Sequence, residues 1–222
     1  RLLNRKKLEI LAPAGDMRKL DVAFEYGADA VYLAGKKLGM RAACKNFDYD
    51  ELKAASLAAH SRRKKFYVAL NIFPNDDDLV GVDESIDYLQ SLHVDGLIIS
   101  DIGLIGRVAR AHRSVPIHVS TQANVLNCDT AKHYADMGVS RIVLARELNL
   151  SQIRKIRNAL PDSVELEAFV HGAMCVSYSG RCLLSNYLTG RSANRGECNQ
   201  ACRMKFTPEI GGEALDFVEA EG

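Results

Sequence analysis

Residues 94–120 read VDGLIISDIGLIGRVARAHRSVPIHVS and contain one complete strand–helix–strand repeat. The apolar run at residues 96–100 predicts a buried strand, residues 102–112 predict a helix, and residues 117–120 predict a second strand. Strands joined through a helix pair in parallel, with a right-handed crossover. This stretch therefore predicts one unit of a parallel α/β sheet.

The same alternation runs through most of the chain, with seven predicted strands and six intervening helices. The strands are predicted at residues 8–11, 30–33, 66–72, 96–100, 117–120, 141–144 and 164–170. The helices are predicted at residues 17–26, 49–62, 83–92, 102–112, 129–137 and 151–160. Short apolar strands that alternate with helices imply a parallel sheet covered by helices.

Two architectures fit this order, an open doubly wound sheet and a (β/α)8 barrel. The chain lacks a Gly-rich phosphate loop, which favours the α/β, (β/α)8 TIM-type barrel. No eighth strand is visible, so we expect a barrel that is incomplete or closed by residues outside this sequence. The predicted organisation is barrel units at 1–170, a cysteine-rich cap at 171–206, and an acidic tail at 207–222 that begins a missing C-terminal part.

The composition is that of an ordinary globular protein, with 47% hydrophobic and 26% charged residues. The net charge of +1 gives no global electrostatic case for nucleic acid or membrane. The basic N-terminal arm has no apolar core, so we do not expect a secretory signal. A cytoplasmic location is the expectation, and there clustered cysteines bind metal or do redox work more often than they form disulfides.

Polar side chains follow the predicted strands at the end where barrels place their functional groups. They are Asn71, Asp101, Ser120, Gln122, Asn124, Arg146, Glu147 and His171. In the fifth strand, His118, Ser120 and Gln122 would share one face if the backbone stays extended. As a set, these residues predict a small-molecule pocket at one rim.

Each of these residues also has a structural interpretation. Asp101 is either a helix cap or an acid/base group, and Arg146 either pairs with a structural acid or holds a carboxylate ligand. His118 and His171 are either satisfied core histidines or ligands. We take Asp101, Arg146 and His171 as the candidate catalytic residues and the remaining rim residues as candidates for substrate binding.

Residues 171–206, HGAMCVSYSGRCLLSNYLTGRSANRGECNQACRMKF, hold four of the six cysteines. The cysteines are Cys175, Cys182, Cys198 and Cys202, with the spacing C-x6-C-x15-C-x3-C. This spacing matches neither paired zinc knuckles nor the ferredoxin run. An iron–sulfur cluster, a zinc site and no metal all remain open. Cys44 and Cys128 lie outside the group and are interpreted as buried spacers.

Five basic residues lie in the same segment, against the single acid Glu197. They are Arg181, Arg191, Arg195, Arg203 and Lys205. Cations near four thiolates would stabilise the negative charge of such a site. They could instead bind RNA phosphate, with Arg181 as a substrate-binding candidate, or form only a solvated basic face.

The cysteine segment resembles the signature of peptidase family U32, the collagenase-like proteins. Four other stretches agree with this resemblance. They are ILAPAGD at residues 10–16, GADAVYLAG at 27–35, HVSTQANVLN at 118–127 and VLARELNL at 143–150. The resemblance covers nearly the whole chain from Leu8 to Phe206. A further segment with a lysine- and glutamate-bearing strand, usual in the family, is not found in this sequence.

The family contains proteins named for proteolysis, bacterial tRNA and rRNA hydroxylation proteins, and a ubiquinone-biosynthesis pair with an iron–sulfur cluster. By resemblance, the four cysteines would hold a 4Fe–4S cluster. Prephenate is implied as a possible oxygen donor, and tRNA or rRNA as the partner. The spacing of Cys198 and Cys202, followed by Arg203, is more similar to the RNA-modifying branch.

Three functions follow from these observations. The first is an iron–sulfur-dependent, oxygen-independent hydroxylase that modifies a nucleobase in tRNA or rRNA. The second is a peptidase, in which a helical placement would bring His171 to Cys175 as base and nucleophile. The third is a barrel held by zinc that acts as an RNA-binding or assembly module.

Overall fold

A computed structural model describes residues 8–35, 46–205, 207, 209–210 and 213–214. The basic arm at residues 1–7, Cys44 and most of the acidic tail lie outside the described residues. In the described part of the chain, seven strands form one parallel sheet in chain order. They are β1 (Leu11–Pro13), β2 (Ala30–Leu33), β3 (Lys65–Leu70), β4 (Gly96–Ile99), β5 (Ile117–Val119), β6 (Arg141–Val143) and β7 (Glu165–Glu167).

Helices alternate with these strands, and one more helix lies in the cysteine segment. They are α1 (Met17–Glu25), α2 (Tyr49–Ser61), α3 (Val82–Ser91), α4 (Ile102–Ala111), α5 (Cys128–Asp136), α6 (Leu150–Ala159) and α7 (Leu184–Thr189). None of these described helices is long and apolar enough to cross a lipid bilayer. Two short strands of the tail, β8 (Glu209–Ile210) and β9 (Glu213–Ala214), pair with each other in antiparallel fashion.

The seven predicted strands and six predicted helices are confirmed, but two strand boundaries are wrong. The first strand, predicted at residues 8–11, lies at Leu11–Pro13, and the amide of Ala14 still donates to the carbonyl of Tyr32 at 2.8 Å. Pro13 is tolerated because β1 is an edge of the described sheet. The seventh strand, predicted to reach residue 170, ends at Glu167 because the apolar residues after it face the rim and solvent.

Five helices begin at an Asp or Asn whose side chain accepts the amide hydrogen of the third helical residue. These caps are Asp16, Asp48, Asp101, Asn127 and Asn149. Each satisfies a backbone donor that has no partner inside the helix, and such a cap contributes about 1 kcal/mol. The caps fix where each helix starts after its strand, and therefore where each rim loop ends.

The strands separate two hydrophobic cores. Along β3, Phe66 and Val68 point outward and pack with the helices in the larger core, while Tyr67 and Ala69 point inward. Burial on both faces explains why β3 is apolar at consecutive positions instead of alternating positions. The inward side chains belong to the interior of a barrel.

The sheet curls until its two ends approach each other. Arg141, at the start of β6, donates to Glu9, two residues before β1, at 2.8 Å. Strands β1 and β6 are five strand spacings apart, which would be about 24 Å in a flat sheet. The contact therefore requires the curled geometry of a barrel, and the described sheet is a seven-stranded, incomplete (β/α)8 TIM-type barrel, as the sequence predicts.

Replacing Gly96 by alanine is expected to destabilise the barrel. Gly96 opens β4 and faces inward, and a Cβ atom there would lie 2.7 Å from the ring of His118. Overpacking of this kind costs about 1–3 kcal/mol, which urea unfolding would measure. At Gly35 a Cβ would meet Leu52 at an ordinary 3.7 Å, so Gly35→Ala is the matched control. The double variant Gly96→Ala/His118→Ala should lose less stability than the sum of the two single variants, because the clash is removed. Losses of unfolding free energy that simply add would contradict the steric cause.

Candidate functional site

The main cavity opens where the barrel strands end and has a volume of about 400 Å³. Its walls come from inward residues of the strands and from the loops that follow β1, β2, β3, β5 and β7. The apolar part includes Pro13, Tyr32, Ala34, Phe47, Ala69, Ile98, Val143 and Phe169. The polar part is Asp16, Lys19, Asn46, Asn71, Ser120, Thr121 and Glu167. A largely apolar wall with a few polar groups, at this end of a barrel, is typical of a small-molecule site.

Asn71 and Ser120 are the predicted substrate-binding residues that line this cavity. Sequence reasoning missed several polar lining residues, Glu167 above all. Glu167 lies inside a predicted strand, and the alternation of side chains along a strand would have placed it on the inner face with Glu165. The apolar residues of the predicted strand at 164–170 indicate a strand but do not indicate that Glu165 and Glu167 share its inner face.

A charge cluster centred on the buried Arg141 closes the opposite end of the barrel, where the strands begin. The guanidinium of Arg141 donates to Glu165 at 2.6 Å and to Glu9 at 2.8 Å. Lys65 donates to the other oxygen of Glu9 at 2.8 Å, and the hydroxyl of Tyr67 donates to Glu9 at 2.6 Å. Burial alone would raise the pKa of Glu9, but these hydrogen bonds outweigh it and lower the pKa to about 2.

His118 belongs to this end of the barrel and does not line the cavity. Its ring lies 4.6 Å from that of Tyr67, edge to face, and burial lowers its pKa to about 3, so the ring is neutral. The predicted shared face of His118, Ser120 and Gln122 requires an extended backbone. The strand instead ends at Val119, and a 3-10 helix follows at Thr121–Ala123. Gln122 is turned away by that helix, and its side-chain oxygen lies 3.5 Å from the hydroxyl of Ser100.

Several predicted substrate-binding residues instead hold the cysteine segment on the rim. The amide of Ser179 donates to Glu147 at 2.6 Å, and its hydroxyl lies 2.7 Å from Asn124 Oδ1 and 3.0 Å from Glu147 Oε2. Arg181 donates to the carbonyl of Gln122 at 2.9 Å. Burial tends to raise the pKa of Glu147, but the Ser179 hydrogen bonds lower it below the usual range.

The three candidate catalytic residues occupy different places. Asp101 accepts the amide hydrogen of Leu104 at 2.7 Å, so it caps α4 and does not line the cavity. His171 is exposed in the loop after β7. The guanidinium of Arg146 lies 5.8 Å from the ring of Phe169, a wall of the main cavity.

Arg146 connects the main cavity to the cysteine segment. It donates through Nη1 to the carbonyl of Ala173 at 3.2 Å, and a Cβ at Gly180 would lie 3.7 Å from its Nη2. Its Nε is buried and has no hydrogen-bond partner among the described residues. Arg146 thus lies between the main cavity and the cysteine segment, and the N–H of its buried Nε is not used by another described residue.

The four cysteines of residues 171–206 line one small cavity of about 150 Å³. All four are free thiols. The rest of the lining is Val176, Gly180, Leu184, Ser185, Ala193 and Ala201. Residues far apart in the segment are brought together by α7 and by short 3-10 turns, so the irregular spacing does not prevent convergence.

Hydrogen-bond donors point at the sulfur atoms of this cavity. The amide of Leu184 lies 3.3 Å from the sulfur of Cys182, and the amide of Gln200 lies 3.4 Å from that of Cys198. A hydrogen bond from the hydroxyl of Ser177, supported by backbone amides, lowers the pKa of Cys182. The thiolate, which is the metal-binding form, is therefore favoured at Cys182.

The sulfur atoms do not form a tight single-ion site. Four thiolates around one zinc lie about 3.8 Å from one another, given a zinc–sulfur distance of about 2.3 Å. Among the described residues, no three His, Cys, Asp or Glu side chains are close enough to hold one metal ion. Zinc sites and iron–sulfur clusters both use cysteine thiolates as ligands, so this cavity is a candidate metal centre.

Glu147→Ala is expected to loosen the cysteine segment, because it leaves the buried Ser179 without its main acceptor. The loss should be about 1–3 kcal/mol, with faster hydrogen exchange in residues 175–182. Because the pKa of Glu147 is lowered in the folded state, Glu147 stabilises the fold at neutral pH. This stabilisation is lost as the pH falls through the lowered pKa. Glu84→Ala, an exposed position on α3, is the control. Unchanged exchange in residues 175–182 would contradict this anchoring role.

Comparison with known proteins agrees with this geometry. The family model described as Peptidase family U32 matches residues 15–220. The solved structure of the U32 peptidase Mk0906 superposes with a TM-score of 0.63 at 20% identity, covering 73% of this chain and 68% of that one. At that identity, the structural likeness shows the shared fold alone.

Two curated relatives from Escherichia coli (strain K12) are named for RNA modification. The tRNA hydroxylation protein P is 42% identical over 93% of this chain and 46% of its own length. The 23S rRNA 5-hydroxycytidine C2501 synthase is 41% identical over 90% of this chain and 30% of its own length. The chain thus spans less than half of either relative. The family match over most of the chain nevertheless shows that the protein belongs to peptidase family U32.

Proposed function

We propose that this chain is the cluster-binding barrel of an enzyme that hydroxylates a nucleobase in tRNA or rRNA without molecular oxygen. The observation that carries the proposal is the convergence of four free cysteines on one cavity beside the mouth of a barrel. The names of the two relatives support RNA as the substrate. They describe longer proteins, so the activity is inferred for this chain.

The cavity fits a 4Fe–4S cluster in its donor set and surroundings. Cys175, Cys182, Cys198 and Cys202 would be the ligands, of which Cys198 and Cys202 are exposed, and most of the remaining lining is apolar. Amide hydrogens near the sulfurs of Cys182 and Cys198 would tune the reduction potential. When bound through four cysteines, such a cluster supplies electron transfer.

The residues of the barrel would then bind and orient the reactants. Asn71 and Ser120 offer hydrogen bonds inside the main cavity, and Phe169 offers a ring for stacking. Arg146, between the cavities, would hold a small carboxylate; prephenate, as a possible oxygen donor, is such a ligand. This placement would put the carboxylate between the base and the cysteines.

Exposed residues of the cysteine segment support an RNA partner. Tyr187 is 86% exposed on α7, and Arg191, Arg203 and Lys205 are exposed in the same segment. An exposed aromatic ring among cations is a common surface for single-stranded nucleic acid, because bases stack on the ring while phosphates meet the cations. A cytoplasmic location stays a prediction.

The peptidase alternative has less support. Residues 171–177 contain no helix, and the first helical turn of the segment is Tyr178–Gly180. The helical spacing that would bring His171 to Cys175 is therefore missing. The zinc alternative uses the same four cysteines, and the metal and sulfide analysis below separates it from the cluster.

The proposal is tested with protein purified and reconstituted without oxygen. We expect about four iron and four sulfide per chain. RNA incubated with the protein and with prephenate as the proposed oxygen donor should gain hydroxylated pyrimidine, measured by mass spectrometry of its nucleosides, and protein without cluster is the control. One tightly bound zinc with no sulfide would contradict the assignment of a 4Fe–4S cluster. A full cluster without RNA hydroxylation would contradict the assignment of RNA as the substrate.

A further inference from the structure

The loop at residues 198–202, which carries the last two cysteines of the site, is fastened to α7 by Asn199. The Oδ1 of Asn199 accepts hydrogen bonds from the hydroxyl of Ser185 at 2.8 Å and from the amide of Ala201 at 3.1 Å. Its Nδ2 donates to the hydroxyl of Thr189 at 3.1 Å. Its backbone amide donates to Ser185 Oγ at 3.2 Å. Asn199 is thus held on all its polar atoms that face α7.

The neighbours of Asn199 determine how its side-chain amide is oriented. The backbone amide of Ala201 is only a donor, so the atom that faces it must be the oxygen. The nitrogen then faces Thr189, whose hydroxyl in turn donates to the carbonyl of Ser185 at 2.8 Å. Each of the two hydroxyls donates one hydrogen bond and accepts one from Asn199, so all the contacts of the network are compatible.

Ser185 connects this network to the cysteine cavity. Its side chain is buried, and it lines the cavity together with the four cysteines. Its Oγ lies 3.9 Å from the sulfur of Cys198. The preceding residue of α7, Leu184, directs its amide to the sulfur of Cys182 at 3.3 Å. Asn199 therefore ties the loop with the last two cysteines to a helix that contacts a third.

The backbone of this loop requires support from other contacts. Gln200 has a φ of 57°, in the left-handed region, which residues with a side chain rarely adopt. The amides on either side of it, those of Asn199 and Ala201, are both held by the network. The amide of Gln200 itself lies 3.4 Å from the sulfur of Cys198. The conformation that places this donor at the sulfur thus depends on Asn199.

We propose that Asn199 is a positioning residue of the cysteine site, which holds Cys198 and Cys202 in the arrangement that binds a metal centre before the centre is present. This rests on the proposed function, since it assumes that the four cysteines bind such a centre. A site that is ordered in advance loses less conformational entropy on binding, and it therefore binds more tightly. Asn199 acts through the cysteines and is not a ligand.

Asn199→Ala is expected to speed the loss of iron from the assembled centre. Loss of a residue that orients a metal ligand lowers metal affinity by roughly 10–100-fold. After anaerobic reconstitution, iron should therefore pass to a chelator about tenfold faster, or more, than from wild-type protein. The electron paramagnetic resonance spectrum of the reduced centre should also broaden, because the two cysteines no longer have one fixed arrangement.

Asn199→Asp is the rescue variant. Aspartate keeps the oxygen that accepts from Ser185 and Ala201 and loses only the donor to Thr189. At high salt, which screens the added charge, it should release iron at nearly the wild-type rate. Asn158→Ala, at an exposed position on α6, is the matched control and should behave as wild type. Iron release from Asn199→Asp as fast as from Asn199→Ala would contradict the positioning role.

A second readout uses the metal-free protein. In Asn199→Ala, the amide hydrogens of residues 198–203 should exchange faster than in wild type, because the loop opens more often. The amides of the barrel strands are the internal control and should exchange at the wild-type rate. Unchanged exchange in residues 198–203 would show that Asn199 does not order the loop, and it would overturn the inference.

The outcomes separate this inference from the proposed function. If folded wild-type protein assembles no metal centre, the assignment of the cysteine cavity fails, and this inference fails with it. If wild-type protein holds a centre and Asn199→Ala releases it no faster, the inference about Asn199 fails alone.

Discussion

Cys182→Ser is expected to abolish cluster retention and, with it, hydroxylation of RNA. The Ser177 hydroxyl and nearby amides lower the pKa of Cys182 and favour its thiolate, whereas a serine hydroxyl does not ionise at neutral pH. Loss of a residue that only hydrogen-bonds to a metal ligand lowers metal affinity by roughly 10–100-fold. Loss of a ligand itself should lower the affinity by more than that. Iron and sulfide analysis after anaerobic reconstitution, with visible absorbance, measures the effect.

The matched control for this variant is Cys128→Ser. Cys128 is a free, partly buried thiol at the start of α5 that packs against the outer core and does not line the cysteine cavity. It should keep the full iron and sulfide content. Full retention of iron and sulfide by Cys182→Ser would exclude the proposed ligand set.

Arg141→Met is expected to produce the largest loss of stability in the barrel, about 3–5 kcal/mol. Methionine preserves much of the volume but leaves Glu165 and Glu167 without Arg141 and leaves Glu9 with Lys65 alone. Urea unfolding at pH 7 measures the loss. The difference from wild type should shrink as the pH falls from 7 toward 3, because the carboxyls become neutral and because wild type loses the contribution of Glu9, whose pKa is lowered to about 2.

Arg62→Met is the control for this charge removal. Arg62 pairs with Asp21 at 2.8 Å, but both side chains are nearly half exposed. Such surface pairs contribute about 1 kcal/mol or less. Equal losses for the two variants would contradict the argument that burial makes the Arg141 cluster important.

Local sequence signals predicted most of the fold. The strand and helix order follows from apolar runs and capping residues, which act within a few residues of one another. Asp16 and Asp101 are examples, since each caps the helix that directly follows it. The errors occur where an apolar residue is not buried, as at Val170, which is 97% exposed.

The site was harder to predict because its contacts join distant parts of the chain. Glu147 and Asn124 had the polar character expected of a binding rim, but they hold Ser179. No local pattern gives the partner of a carboxylate. Glu167 was overlooked for the related reason that its importance comes from a cavity and from charges on other strands.

The sequence by itself determined the order of parallel strands and the group of four cysteines, because periodicity, capping and residue type are local properties. Only the tertiary structure decided which polar residues line the main cavity and which anchor the cysteine segment. It also decided that the four thiols share one cavity and that Arg141 meets Glu9. These outcomes depend on how far the sheet curls, and that is set by packing across the whole barrel.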